Sequence, residues 1–205
     1  MHFRLVLLAC FILLNFVSVS AQRSDSLLLK ISSVESKDLI DLYAFENIAY
    51  FKLSFSGLDI HKQYFVVTSE EFRSGKPPKR DTIMNSKFLR EKSGSDTFQI
   101  RVMSKGINKD TVKFQFGFPR FAIIKTFTKM RKENYALIYA TANRQQFFER
   151  GKPVNLLVYS LPYEDPKRPG YLFYCELSRE GIPPEQWGEK FKVPHYIVFK
   201  IHFID

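Results

Sequence analysis

Cysteine is nearly absent: the 205 residues hold two, and the first, Cys10, falls inside an N-terminal apolar run. Two cysteines are too few for a disulfide-stapled miniprotein. If the run is removed, Cys175 is left without a partner for an internal bridge. It sits in step with Phe173 and Leu177. With no base beside it in sequence, it reads as a small buried hydrophobe rather than a nucleophile. Signatures of catalysis are also missing. There is no H-E-x-x-H, no paired-cysteine zinc spacing, no EF-hand loop and no G-x-S-x-G elbow. Neither Gly75-Lys76 nor Gly151-Lys152 is followed by Ser or Thr, so neither opens a phosphate-binding loop. No cofactor or metal is expected. Disorder is excluded from the other side, since 45% of residues are hydrophobic and 16% aromatic, enough to build a core.

The N-terminus reads as an address. Arg4 precedes a 13-residue stretch, Leu5 to Val17, whose only polar residue is Asn15. Val19-Ser20-Ala21 then places small residues at a cleavage site ahead of Gln22. These features predict a secretory signal peptide over residues 1–21, which leaves 22–205 for one β-sandwich domain on the strand pattern below. The run falls short of the roughly 20 apolar residues of a membrane span, so no span is expected in the mature chain. A minority alternative is lipidation at Cys10, where Leu7-Leu8-Ala9-Cys10 matches a lipobox. Against it, the apolar stretch before Cys10 is short and the run continues beyond it.

Beyond residue 21 the sequence alternates with period 2. Ala49, Phe51, Leu53 and Phe55 interleave with Tyr50, Lys52 and Ser54. The same pattern recurs over Phe98–Val102, Val112–Phe118 and His195–Phe203. One apolar and one polar face is the mark of antiparallel sheets. Further strands are expected at Tyr64–Thr68, Phe121–Phe127, Tyr135–Ala142, Val154–Tyr159 and Tyr171–Leu177. The reading is a mainly β chain: an antiparallel β-sandwich of about nine strands with a short helix near the C-terminus, at Pro183-Pro184-Glu185-Gln186-Trp187. A capping-box match, Ser32-x-x-Glu35, leaves helix or strand open over 33–45. The repeated F-x-x-G-K-P at Phe72 and Phe148 reads as one turn chemistry used twice.

Charge is the strongest functional signal, with 31 basic against 21 acidic residues. Arg73, Lys76, Lys79 and Arg80 cluster in one predicted loop, and Lys125, Lys129, Arg131 and Lys132 around another turn. A secreted protein rarely meets nucleic acid, so none is expected as partner. Anionic glycans or other envelope components are the counter-charges, unless the charge merely keeps an aromatic-rich β protein soluble.

The leader ending at Ala21, the lysine-rich hairpins and the tail Pro183-Pro184-Glu185-Gln186-Trp187-Gly188 with Pro194-His195-Tyr196 resemble small secreted proteins of Gram-negative gut bacteria. The resemblance implies export to the periplasm or beyond, and it transfers no site residues.

The expected function is a non-catalytic secreted or periplasmic binding module, for an anionic glycan or an envelope protein. Alternatives are a glycan or cell-wall hydrolase using carboxylates such as Glu35, Asp38, Asp41, Glu46, Glu70 or Glu71, and a structural or inhibitory partner of an envelope protein. The proposed binding residues are Tyr163, Lys167, Arg168 and Tyr171, in a loop stiffened by Pro162, Pro166 and Pro169, with Trp187 joining from the short helix. The opposing reading makes the loop a rigid connector and Trp187 a core plug. His195, in step with Ile197 and Phe199, reads as a satisfied histidine at the core edge.

Overall fold

The computed structural model describes residues 26–89, 95–130, 134–165 and 167–205. The expected signal peptide over 1–21, with Cys10, lies outside the described residues, as do Arg131, Lys132, Pro166 and the side chain of Cys175.

The described chain is mainly β. Its strands are β1 Ser26–Ser32, β2 Ile48–Ser56, β3 Tyr64–Arg73, β4 Lys79–Asn85, β5 Thr97–Gly106, β6 Thr111–Gly117 and β7 Ala122–Thr128. They continue with β8 Ala136–Tyr139, β9 Gln145–Glu149, β10 Val154–Ser160, β11 Tyr163–Glu164, β12 Leu172–Phe173 and β13 His195–Ile204. Sheet A runs β7-β6-β5-β2-β1-β9 and sheet B runs β4-β3-β13-β10-β8, with β11 and β12 forming a separate ribbon. Every pairing is antiparallel.

The two sheets share one aromatic core. Phe65 of sheet B meets Phe98 of sheet A with ring centroids 4.4 Å apart, and Phe199 meets Phe114 at 4.8 Å. The alternation sets which side chains enter it. Val112, Phe114 and Phe116 are buried while Lys113 points out, as the period-2 pattern requires.

The expected strands are present, with one exception. Tyr171–Leu177 yields only Leu172–Phe173 before the chain turns into helix α2, Cys175–Arg179. That ribbon has only two strands and no sheet to extend, so it supports no long strand. Leu177 is buried instead in the satellite core with Trp187. Four strands go beyond the nine expected: β1, β4, β9 and β11. The open segment at 33–45 resolves into helix α1, Lys37–Phe45, preceded by Ser36, whose side chain makes no capping bond, rather than by Ser32, which ends β1. Near the C-terminus a 3-10 turn, Pro184–Gln186, leads into helix α3, Trp187–Lys190.

The F-x-x-G-K-P repeat is one turn in two settings. Gly75 and Gly151 both adopt φ of +73°, which favours glycine. The lysine N–H that follows bonds back to the carbonyl of Arg73 in one case and Glu149 in the other. The first turn closes the β3–β4 hairpin, whereas the second carries the chain from sheet A to sheet B. Among the described residues, no helix is long and apolar enough to cross a membrane.

Candidate functional site

The outer faces of the two sheets are finished differently. Residues 161–194 fold back over sheet B and seal it with Leu161, Leu177, Trp187 and Val193 against Val158, Tyr196 and Val198. Among the described residues, sheet A has no such cover. Its outer face holds a groove of about 660 Å³, between α1 on one side and the β6–β7 turn on the other. This is within the size range of ordinary ligand sites.

The groove floor is a row of residues in register across five strands. Ser32 pairs with Lys52, Lys52 with Arg101, Arg101 with Gly117, and Gly117 with Ala122. Lys52, Arg101, Gly117 and Ala122 are outward positions between core residues; Lys52, for example, lies between Phe51 and Leu53. Small residues at one end create the recess. A Cβ on Gly117 would lie 3.4 Å from Arg101 Nε and 3.6 Å from its Nη2, so the guanidinium rests across the glycine.

Lys52 and Arg101 are like charges on adjacent strands, an arrangement that destabilises an antiparallel pair. Neither has an ion-pair partner among the described residues, although Glu35 also lines the groove. Tyr50, next outward position on β2, pairs in register with Met103 and faces Tyr43 of α1 with ring centroids 5.7 Å apart. Leu39 and Tyr43 share one helix face and form the groove wall. Burial raises the Tyr50 phenol above its ordinary value; the Arg101 charge opposes this without reversing it. The Tyr50 hydroxyl therefore remains a hydrogen-bond donor beside the cation.

The loop singled out from sequence is arranged differently. Trp187 is 0% exposed and donates its indole N–H to the Ile182 carbonyl at 3.0 Å. This corrects its proposed place on a binding surface: a side chain of that size and apolar area is buried in the cover over the outer face of sheet B, against Val158, Tyr196 and Val198. Arg168 donates to Asp165 at 2.8 Å and lies over the Phe173 ring at 4.5 Å. Its hydrogen bond holds the Asp165 carboxyl below the ordinary range. Tyr163 packs against Phe191 and Phe173. The Lys167 backbone N–H caps Asp165, while Tyr171, 63% exposed, closes the turn through its N–H to the Arg168 carbonyl. The structure brings Tyr163 and Arg168 together on Phe173 but keeps Trp187 apart from any surface.

His195 is satisfied on both nitrogens. Tyr135 O–H donates to Nδ1 while its oxygen accepts from Met130 N–H, and Nε2–H donates to Glu71 at 2.9 Å. Arg73 completes the chain on the same Glu71 oxygen and reaches the Thr128 carbonyl at 3.0 Å. Burial lowers the imidazole pKa, and the Glu71 hydrogen bond only partly restores it, so the ring is held neutral. At 0% exposure it ties β13 to β3 and to Tyr135, just ahead of β8, rather than meeting a ligand.

The carboxylates of sheet B's outer face are equally committed. Lys200 bridges Glu70 and Glu185, at 2.6 Å from each. Burial alone would raise both acids, but Lys200, together with Arg80 on Glu70 and with a backbone N–H and Asn155 on Glu185, outweighs it and holds them below the ordinary value. A hydrolytic pair needs its two pKa values pushed apart, and here both are pushed down.

The groove residues were visible in sequence only as polar faces of separate strands. Their convergence depends on β2 pairing with β5, which the intervening sequence does not announce. Comparisons of the chain with models of known protein families, with curated proteins and with solved structures return no match.

Proposed function

We propose that the protein is an exported, non-catalytic binding module of the cell envelope whose ligand is an anionic glycan seated in the groove on sheet A. One observation carries the reading: Lys52 and Arg101 stand in register, without ion-pair partners among the described residues, beside the Tyr43–Tyr50 wall. A fold gains nothing by opposing two cations, so the arrangement suits an anion that comes from outside. The guanidinium fork matches a carboxylate, and tyrosine offers an apolar ring with a polar tip to a sugar. The leader in residues 1–21 and the formal charge of +10 support export and an anionic counterpart.

Calorimetric titration with digalacturonate, and with maltose as its neutral counterpart, tests the reading. Binding of the uronate is expected to weaken with salt, and the K52E/R101E variant to lose at least about tenfold in affinity. Equal binding of maltose, or unchanged uronate affinity in the variant, overturns it.

A further inference from the structure

A second cleft, of about 630 Å³, opens where β4, the edge of sheet B, approaches β7, the edge of sheet A. Here the inward positions of sheet B change from apolar to charged. Phe65 and Val67 give way to Ser69, Glu71 and Arg73 along β3, with Lys79 and Asp81 beside them on β4. The structure thus joins the two basic segments of the sequence, the β3–β4 hairpin and β7. Lys125 pairs with Asp81 at 3.0 Å, and Arg73 reaches the Thr128 carbonyl.

Both carboxylates lining this cleft are spoken for. Glu71 is held by Arg73 and His195, and Asp81 by Lys125. Lys76 and Lys79 also line it, and neither has an ion-pair partner among the described residues. The cleft therefore offers positive charge that the described residues leave uncompensated, as the groove does.

One strand links the two. Ala122 of β7 ends the floor of the groove, while Thr126 to Thr128 line the second cleft. Four residues of strand separate them by about 13 Å. Between them the outer edge of β7 has no strand paired to it among the described residues. An edge of that kind presents backbone N–H and C=O groups to whatever lies along it.

We infer that groove and cleft are two subsites of one path, and that the ligand is a linear polyuronate long enough to run from Lys52 and Arg101 around the β7 edge to Lys76 and Lys79. This rests on the reading of the groove as an anionic-glycan site. A repeating anion fits because each cleft contributes its own pair of cations, and a chain engaging one raises its effective concentration at the other.

The test compares digalacturonate with octagalacturonate on the full mature chain and on two variants, K76E/K79E and K52E/R101E. The octamer is expected to bind the native protein at least about tenfold more tightly than the dimer, with a steeper salt dependence. K76E/K79E is expected to reduce octamer affinity to that of the dimer, flatten the salt slope and leave dimer binding unchanged. If K76E/K79E leaves octamer affinity and salt slope intact while K52E/R101E abolishes both, the two-subsite inference is wrong and the groove reading stands. If K52E/R101E also has no effect, or neither oligomer binds, the groove reading falls and this inference falls with it. Lys76 and Lys79 are exposed, and an unchanged circular dichroism spectrum confirms that the variant is folded.

Discussion

The outer face of sheet B and the outer face of sheet A are built from the same kind of strand and end in opposite states. On sheet B every prominent charge is answered: Lys200 by Glu70 and Glu185, Glu70 again by Arg80 at 2.9 Å, Glu185 again by Asn155 at 3.2 Å. Around that network, residues 161–194 supply the apolar cover. On sheet A, Lys52 and Arg101 lie side by side without such an answer among the described residues. One chain solves the charge problem completely on one face and leaves it open on the other. Open charge gathered in concave surfaces, the groove and the β4–β7 cleft, is what the proposed anionic ligand would answer.

The sharpest way to break the comparison on the covered side is to remove its plug. Trp187→Ala is expected to cost about 3–5 kcal/mol in urea unfolding, the range for deleting a fully buried aromatic. Oligogalacturonate affinity of the folded fraction is expected to stay unchanged, because Trp187 takes no part in the groove. A loss of binding without a loss of stability would move Trp187 back to a surface role.

Next in size is Lys200→Met. It removes the cation shared by Glu70 and Glu185 and leaves Glu70, 5% exposed, with Arg80 alone. Breaking a largely buried ion pair from one side is expected to cost about 2–4 kcal/mol. If the cost is below a few tenths of a kcal/mol, as for exposed pairs, sheet B's charges are not the settled network described and the contrast weakens.

The two faces also differ in how far the sequence disclosed them. Alternation placed Phe114 and Phe116 inside and Lys113 outside because pleating fixes the face of every second residue. It also placed His195 at the core edge in step with Ile197. It missed β4, where Lys79 to Thr82 are exposed and only Ile83 and Met84 are buried, since an edge strand needs little apolar content. It also read Tyr171–Leu177 as strand, because β propensity reflects burial on a sheet that this segment does not join. The groove was illegible for another reason. Lys52 and Arg101 are neighbours only because β3 and β4 leave for the other sheet between them. Nothing in a local pattern records such a detour. A rule that could have found them is available in retrospect: outward positions that carry cations on two strands, with no acid in either strand to answer them.

A smaller effect separates the buried tether from both faces. The fold holds His195 neutral, so between its lowered native pKa and the ordinary value of 6.5 the unfolded chain binds more protons. Stability is therefore expected to fall as pH drops below 6.5, by up to about 1.4 kcal/mol per pH unit in that window. The carboxyls of Glu70, Glu71 and Glu185 are held low, so their contribution is intact above 4.5 and is lost as pH falls further. Urea unfolding of His195→Gln across this range is expected to lack the upper limb and keep the lower one. An unchanged upper limb would show that His195 is not the group responsible.

The smallest stability change carries the most meaning for the open face. If Lys52 and Arg101 oppose each other at the fold's expense, reversing one of them should relieve the conflict. Lys52→Glu places a carboxylate opposite Arg101 across the β2–β5 pair, turning a repulsive neighbour into an attractive one. The gain is expected to be modest, about 0.2–1 kcal/mol, because the pair lies on an accessible sheet surface and water screens it. Digalacturonate binding is expected to fall in the same variant, since the new carboxylate occupies Arg101 and repels the uronate. Stability and affinity then move in opposite directions from one substitution, which a purely structural lysine does not allow. Should Lys52→Glu destabilise the protein and leave affinity unchanged, Lys52 is satisfied by the fold itself, and sheet A's outer face is no more open than sheet B's.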